Sequence, residues 1–303
     1  MARRVSGWIA GVISVACAGS LLLHQWLPDG VVRLVIESFL PWIGVPIALA
    51  VLLAAIRRRR FAALLAVAAA FVWAVVVVPR ALPLESGTSS PDITIVTQNL
   101  GSDGTAVETL ISELIAEDPD VIVLQEITTA QKQEVSDLLA QGGYTYTAQA
   151  STVGIWSTFP MTNGEALSLG MDWDRAVRAD ISTPSGTVRV YAVHALSARL
   201  EGHEARNEML AALGSELAAD DSTAIIVAGD FNATQDDTGM SSVQSSVSES
   251  VLSGGGFGFT WPSSFPVARP DHVMSRGLTA VEYRVLGTTG SDHLGLLYSA
   301  SVD

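Results

Sequence analysis

Three long apolar stretches, Trp8 to Leu27, Phe39 to Ile56 and Phe61 to Val78, dominate the first quarter of the chain. Each is close to the roughly 20 residues that cross a bilayer, and each is apolar all round rather than along one stripe. Residues 1–80 are therefore read as a membrane region with three transmembrane helices. Residues 81–91 contain Pro, Gly, Ser and Thr without periodicity and read as a short linker. From Asp92 onward the apolar pattern breaks into short runs and helical stripes, predicting one mixed domain over 92–303.

Within that domain, Asp92 to Thr97 alternates as a strand does and ends at Gln98-Asn99-Leu100. Val107, Leu110, Ile111, Leu114 and Ile115 then fall on one helical face, with Ser102 or Asp103 as N-cap and Pro119 as the stop. Val121 to Leu124 is a buried strand that delivers Gln125-Glu126. A helix over Thr129 to Ala140 follows, then strands over Tyr144 to Ala148, Thr152 to Ser157, Arg175 to Ile181 and Val188 to Val193, the last ending in His194. Glu201 to Ala219 is helical on Met209, Leu210, Leu213 and Leu217. Ala224 to Val227 is the next strand, closed by Gly229-Asp230-Phe231-Asn232. The Ser- and Gly-rich stretch from Asp236 reads as a loop with one short helix on Val243, Val247, Val251 and Leu252. Strands near Val281 to Leu286 and Leu294 to Tyr298 complete the chain.

Charge divides the chain at the same place as hydropathy. The first 91 residues hold eight arginines against three acids, and the rest nine basic residues against 28 acids, net charges of +5 and −19. Arg3-Arg4 and Arg57 to Arg60 flank the apolar stretches on one side. The loop from Pro28 to Ser38 balances Arg33 against Asp29 and Glu37. Because positive flanks stay cytoplasmic, this pattern expects the tetra-arginine turn inside and the large domain outside the cytoplasm, next to the cell membrane. An acidic domain disfavours long nucleic acids as partners, since phosphate backbones call for basic surfaces. Cys17 is the sole cysteine, which excludes an intrachain disulfide and thiolate metal clusters.

The candidate chemistry gathers at strand ends: Asn99, Glu126, His194, Asp230 with Asn232, Asp271, and Asp292 with His293. A carboxylate closing so apolar a strand is costly unless paired or metal-bound. In order, the motifs are Thr97-Gln98-Asn99-Leu100, Leu124-Gln125-Glu126, Val193-His194-Ala195-Leu196, Gly229-Asp230-Phe231-Asn232, Arg269-Pro270-Asp271-His272-Val273 and Ser291-Asp292-His293. With these the chain resembles the endonuclease/exonuclease/phosphatase superfamily, which includes deoxyribonuclease I. The resemblance implies an α+β fold, a four-layer α/β/β/α sandwich, here preceded by three transmembrane helices. The chain departs from the usual pattern at Ala195, Pro270 and His272.

By the same resemblance, Glu126 is the principal ligand for Mg²⁺ (or Mn²⁺), with Asn99 and Asp292 beside it. Asp230 orients or deprotonates the attacking water, and Asn232 holds the nucleophile or a phosphate oxygen. His293 acts on the phosphate, oriented by Asp271, while His194 stabilises the phosphoryl oxygens or protonates the leaving group. Oxygen donors of this kind suit Mg²⁺ better than zinc on chemical grounds alone. Arg175, Arg178 and Arg206 are further candidates for phosphate contacts, and His203 and His272 read as surface groups or supports of the site. The expectation is a membrane-anchored, metal-dependent phosphoesterase acting on a phosphorylated, lipid-linked substrate. An extracellular nuclease and a non-catalytic module that senses a phosphorylated ligand are the alternatives.

Overall fold

A computed structural model describes residues 2–83, 90–101, 106–198 and 203–303. The chain forms two units, Met1–Leu82 and Pro83–Asp303. In the first, α1 (Ala2–Leu23) is followed by α2 (Val31–Ser38), α3 (Gly44–Ile56) and α4 (Arg60–Val77). Two helices, over Trp8–Trp26 and Arg60–Ala81, are long and apolar enough to cross a membrane. The pair Val31–Ser38 and Leu40–Ile56 makes a third if it counts as one span, although it bends by 82°. The stretch expected to be a loop before Phe39 is thus a helix over α2, where Arg33 donates to Glu37 one turn later at 3.0 Å.

The second unit runs β1 (Ile93–Asn99), α5 (Val107–Ala116), β2 (Val121–Gln125), α6 (Lys132–Gln141), β3 (Tyr146–Ala150), β4 (Val153–Ser157) and β5 (Met161–Leu167). It continues with β6 (Ala176–Thr183), β7 (Gly186–His194), α7 (His203–Ala219), β8 (Ile225–Asp230), α8 (Ser241–Gln244), β9 (Ser248–Glu249), β10 (Asp271–Arg276), β11 (Leu278–Val285) and β12 (Leu296–Val302). The strands make two six-stranded sheets, ordered β11-β12-β1-β2-β4-β3 and β5-β6-β7-β8-β10-β9.

Side-chain alternation assigns each strand residue to a layer. Ile93, Ile95, Val121 and Val123 of one sheet meet Val188, Val190, Ala192, Ile226 and Ala228 of the other in a core between the sheets. The opposite parity of the first sheet, Val96, Ile122 and Leu124, packs on Leu110, Leu114, Val135 and Leu139 of α5 and α6. In the second sheet Tyr191, Val193, Ile225 and Val227 pack on Met209, Leu210, Leu213 and Leu217 of α7. Burying each such aliphatic is worth about 1.5–3 kcal/mol, so the helices are held by their stripes. The result is the four-layer α/β/β/α sandwich.

Several boundaries differ from the sequence reading. The expected caps Ser102 and Asp103, and Glu201, lie outside the described residues. β5 has no counterpart in the sequence reading, because five of its seven residues are exposed and no apolar alternation marks it. The helix expected through Leu252 ends at Gln244, and Val247 and Leu252 instead bury themselves from irregular backbone. An additional strand, β10, begins at Asp271.

Candidate active site

Parity that fills the inter-sheet core also aims the polar strand ends. Asn99 shares the face of Ile93 and Ile95, His194 that of Val190 and Ala192, Asp230 that of Ile226 and Ala228, and Asp271 that of Val273. The register brings them level: Asn99 lies beside Gln125, His194 beside Asp230, and Asp230 beside Asp271. Where the apolar core between the sheets stops, these side chains continue it as a polar end wall. Glu126 joins them by leaving the strand with φ +58°, and Asn232 does so with φ +47°. Both conformations are uncommon for residues with a side chain.

Two clusters result, sharing Asp230. One is Glu126, His194 and Asp230, the other Asp230, Asp271 and His293; within each, ligand atoms lie within 4.8 Å of one another. The Asn99 amide donates to Asp230 Oδ2 at 2.9 Å and to Glu126 Oε1 at 3.2 Å, while its oxygen accepts from the Gly101 amide at 2.9 Å. Asp230 also accepts from the Asn232 backbone amide at 2.8 Å and its side-chain amide at 3.3 Å. His293 Nδ1 is 2.9 Å from Asp271 Oδ2, which also accepts from Thr260 Oγ1 at 2.6 Å. The other ring nitrogen of His293 points to Asp230 Oδ2 at 4.0 Å. His194 Nε2 lies 3.6 Å from Glu126 Oε1, and its Nδ1 is buried without a hydrogen-bond partner among the described residues.

These environments pull the titrations apart. Burial, reinforced by the Asp271 carboxylate, pushes Asp230 up to about 7 despite the opposing pull of His293 and the amide donors. Burial works against charge on His293, but Asp271 and Asp230 outweigh it and raise the imidazole to about 9. His194 is driven down to about 4 by burial, then by Arg175 and His293. At neutral pH the site therefore holds a charged His293, a neutral His194 and an Asp230 that keeps its proton far more readily than an ordinary carboxyl group.

Of the residues singled out in the sequence, Asn99, Glu126, His194, Asp230, Asn232, Asp271 and His293 form one connected group. Asp292 lies outside both clusters: its Oδ2 accepts from Trp261 Nε1 at 3.3 Å, and its Oδ1 sits against the Gly101 backbone. Arg178 is committed to Glu165 and Glu216, and Arg206 to Asp237 at 2.7 Å and to the carbonyl of Asn232 at 2.7 Å. Arg206 thus positions the Asn232 turn from beneath. Arg175 differs from both. Its Nε is buried without a partner among the described residues, its guanidinium stacks 4.9 Å from the Trp173 ring centroid, and it feels the Glu126 charge.

His203 and His272 are buried, which removes the surface alternative. His272 joins Glu249 at 3.0 Å to the carbonyl of Ala233 at 2.8 Å, bracing the turn after Asp230. Thr260 and Trp261 escaped the sequence reading because neither ends an apolar run, and only the fold carries their loop to Asp271 and Asp292.

The donor set fits a divalent cation. Asp230 shares one cluster with Glu126 and the other with Asp271, and its rise comes first from burial and then from the Asp271 charge, so its ionised form gains from a cation beside it. Carboxylate oxygens with a partly exposed Glu126 suit a hard ion. In the present arrangement Asn99 serves the cluster through its NH₂ group, its oxygen being held by Gly101.

A family model described as the endonuclease/exonuclease/phosphatase family matches residues 96–293. A search of curated proteins finds no match. Among solved structures, the endonuclease/exonuclease/phosphatase from Beutenbergia cavernae DSM 12333 superposes with TM-score 0.57 at 18% identity, over 70% of this chain and 72% of its own. D. rerio TDP2 complexed with single strand DNA product gives TM-score 0.56 at 18% identity, over 69% and 99%. Beta toxin 275-280 from Staphylococcus aureus gives TM-score 0.53 at 13% identity, over 69% and 100%. These likenesses concern the fold.

Proposed function

Because the chain belongs to the endonuclease/exonuclease/phosphatase family, we propose that it is a metal-dependent phosphoester hydrolase, anchored by its N-terminal helices with its site outside the cytoplasm. The observation that carries the reading is the shared position of Asp230, hydrogen-bonded by Asn99 and Asn232 and facing His293. A carboxylate poised near 7 can hold a water and take its proton at neutral pH. Asn232 fixes the direction of that carboxylate through both its amides. His293, kept charged by Asp271, donates to a phosphoryl oxygen, and neutral His194 offers a hydrogen bond without adding charge. Arg175 supplies a cation with no ion pair among the described residues.

Mg²⁺ or Mn²⁺ would be held by Glu126; Asn99 and Asp292, expected beside it, would have to turn from Gly101 and Trp261 to offer it an oxygen. When bound, such an ion neutralises charge building on a phosphoryl oxygen during in-line displacement. The acidic domain and its short tether to apolar helices favour a lipid-linked phosphoester or pyrophosphate as substrate. The second reading, a nuclease, draws on the DNA-bound structural neighbour and is opposed by the net charge of −19 over residues 92–303.

The test is product release by the full chain in detergent micelles, with Mg²⁺ or EDTA, on a phospholipid panel, a polyprenyl pyrophosphate and plasmid DNA. Metal-dependent cleavage of a lipid and none of DNA is expected. Asp230→Asn and His293→Ala should each lower kcat by at least about 100-fold with unchanged circular dichroism. Wild-type turnover in either variant sinks the assignment, and efficient nicking of DNA moves the nuclease reading to first place.

A further inference from the structure

The membrane unit contains a feature that anchoring does not need. α1, α3 and α4 meet through Ala10, Ala50, Ala54, Ala62 and Ala66, all buried, so the three backbones approach closely at the end where α1 and α4 begin and α3 finishes. Beside that seam the surfaces of α1 and α4 part to leave a cavity of about 920 Å³. Its lining is mostly apolar, with Gly11, Val15, Ala16, Phe61 and Leu65 among it, and is completed by Arg58, Arg59 and Arg60 of the α3–α4 turn. Gly11 of α1 faces Leu65 of α4 across it: a Cβ at Gly11 would stand 3.5 Å from Leu65 Cδ1, in ordinary contact.

Arg58 and Arg60 are exposed, and Arg58 has φ +50° in the tight turn between α3 and α4. α4 starts at Arg60, so the positive end of its dipole lies at the same turn. An apolar groove that also carries three arginines is complementary to one kind of molecule that a bilayer supplies: an acyl chain carrying a phosphate. Guanidinium groups bind phosphate oxygens through paired N–H donors, and basic pockets between membrane helices recognise anionic headgroups.

We propose that the groove between α1 and α4 binds one anionic glycerophospholipid, its phosphate at Arg58 and Arg60 and an acyl chain along Gly11, Val15 and Leu65. The inference rests on the membrane-anchored reading and concerns a site separate from the phosphoester chemistry. Its consequence is that the anchor selects the lipid around it.

The experiment is native mass spectrometry of the full chain, released from nonionic detergent after mixing with equal amounts of phosphatidylglycerol and phosphatidylcholine. Retention of phosphatidylglycerol is expected to exceed that of phosphatidylcholine by about tenfold or more. Arg58→Gln with Arg60→Gln should erase the preference, Arg57 and Arg59 being left to hold the turn. Ala16→Phe, which fills the groove without changing charge, should reduce retention of both lipids. Equal retention by the wild type, or an Ala16→Phe chain that keeps lipid as the wild type does, overturns the proposal. A chain that floats with phosphatidylcholine vesicles but shows no headgroup preference overturns the lipid site alone. One that stays in aqueous buffer without detergent and does not float overturns the membrane reading as well.

Discussion

At the scale of single residues, the site is a set of opposed titrations built into one end wall. Asp230 binds its proton more tightly in the folded chain than in the unfolded one, so between about pH 4 and about 7 the folded state holds more protons and stability falls as pH rises. His293 acts in the same direction over a higher window: its stabilising contribution is complete below about 6.5 and is lost as pH rises through about 9. His194, lowered to about 4, works the other way: its cost to the folded state is relieved as pH rises from about 4 to 6.5, which offsets Asp230 there. In EDTA the melting temperature of the catalytic unit, followed by tryptophan fluorescence, should therefore change little up to about pH 6.5 and decline from there to pH 9. Asp230→Asn should uncover a rise in stability with pH below about 6.5 and leave the decline above pH 7, and Mg²⁺ should lift the wild type most where Asp230 is ionised. A variant with the wild-type slope below pH 7 removes Asp230 as the cause. These residues were legible as types and positions, because each ends or follows an apolar run. Their titrations were not, since the proximity of Asp230 to Asp271 depends on an antiparallel pairing between strands 40 residues apart in the chain. The special standing of Arg175 was equally hidden: on the sequence it is one of three arginines, and only the packing reveals that Arg178 and Arg206 are spoken for.

At the scale of elements, the catalytic group depends on how closely β7 and β8 run together. Gly229 has φ +142°, and a Cβ there would stand 2.0 Å from the Val193 carbonyl oxygen, one residue before His194 and Asp230. Gly229→Ala must push the two strands apart, at a cost above about 3 kcal/mol, and move both site residues with them. At Gly277, with φ +67°, a Cβ would stand 1.9 Å from the Thr223 carbonyl oxygen, beyond the opposite end of β10 from Asp271. Gly277→Ala should lower the unfolding midpoint comparably yet preserve kcat in the molecules that remain folded, whereas Gly229→Ala should lose both. Denaturant titration paired with active-site turnover separates the two, and a Gly229→Ala chain with normal kcat would show that the site tolerates strand displacement. The elements carrying the site were visible in the sequence because buried strands read as unbroken apolar runs and helices α5 and α7 as stripes. β5 was not, being an exposed edge whose partners lie on one side only. α2 was hidden for a different reason: an Arg33–Glu37 pair inside an apolar octet looks like a charged loop until the helical spacing puts the two groups together.

At the scale of the whole molecule, the chain couples an arginine-rich apolar unit to an acidic unit through the residues between Leu82 and Ile93. Even fully extended, a segment of that length reaches no more than about 40 Å, so on the membrane-anchored reading proposed above the acidic unit would stay within that reach of the bilayer. Tethering of this kind replaces a bimolecular encounter by an intramolecular one and is worth a factor of about 10² to 10⁴ without any new contact. The acidic surface makes the tether matter more, because a unit of net charge −19 is repelled by anionic vesicles over a Debye length of about 10 Å at 0.1 M salt. A protease site inserted into residues 84–89 allows the link to be cut after reconstitution. Cleavage of a phospholipid in the bilayer should then fall by about 100-fold or more, with the larger loss at low salt on anionic vesicles. Hydrolysis of a water-soluble phosphodiester by the same preparation should not change, because the site itself is untouched. If the released unit works on vesicles as fast as the tethered one, the membrane helices serve some purpose other than presenting substrate. If both activities collapse on cutting, the first unit contributes to the site directly, and the division of labour between anchor and catalyst fails.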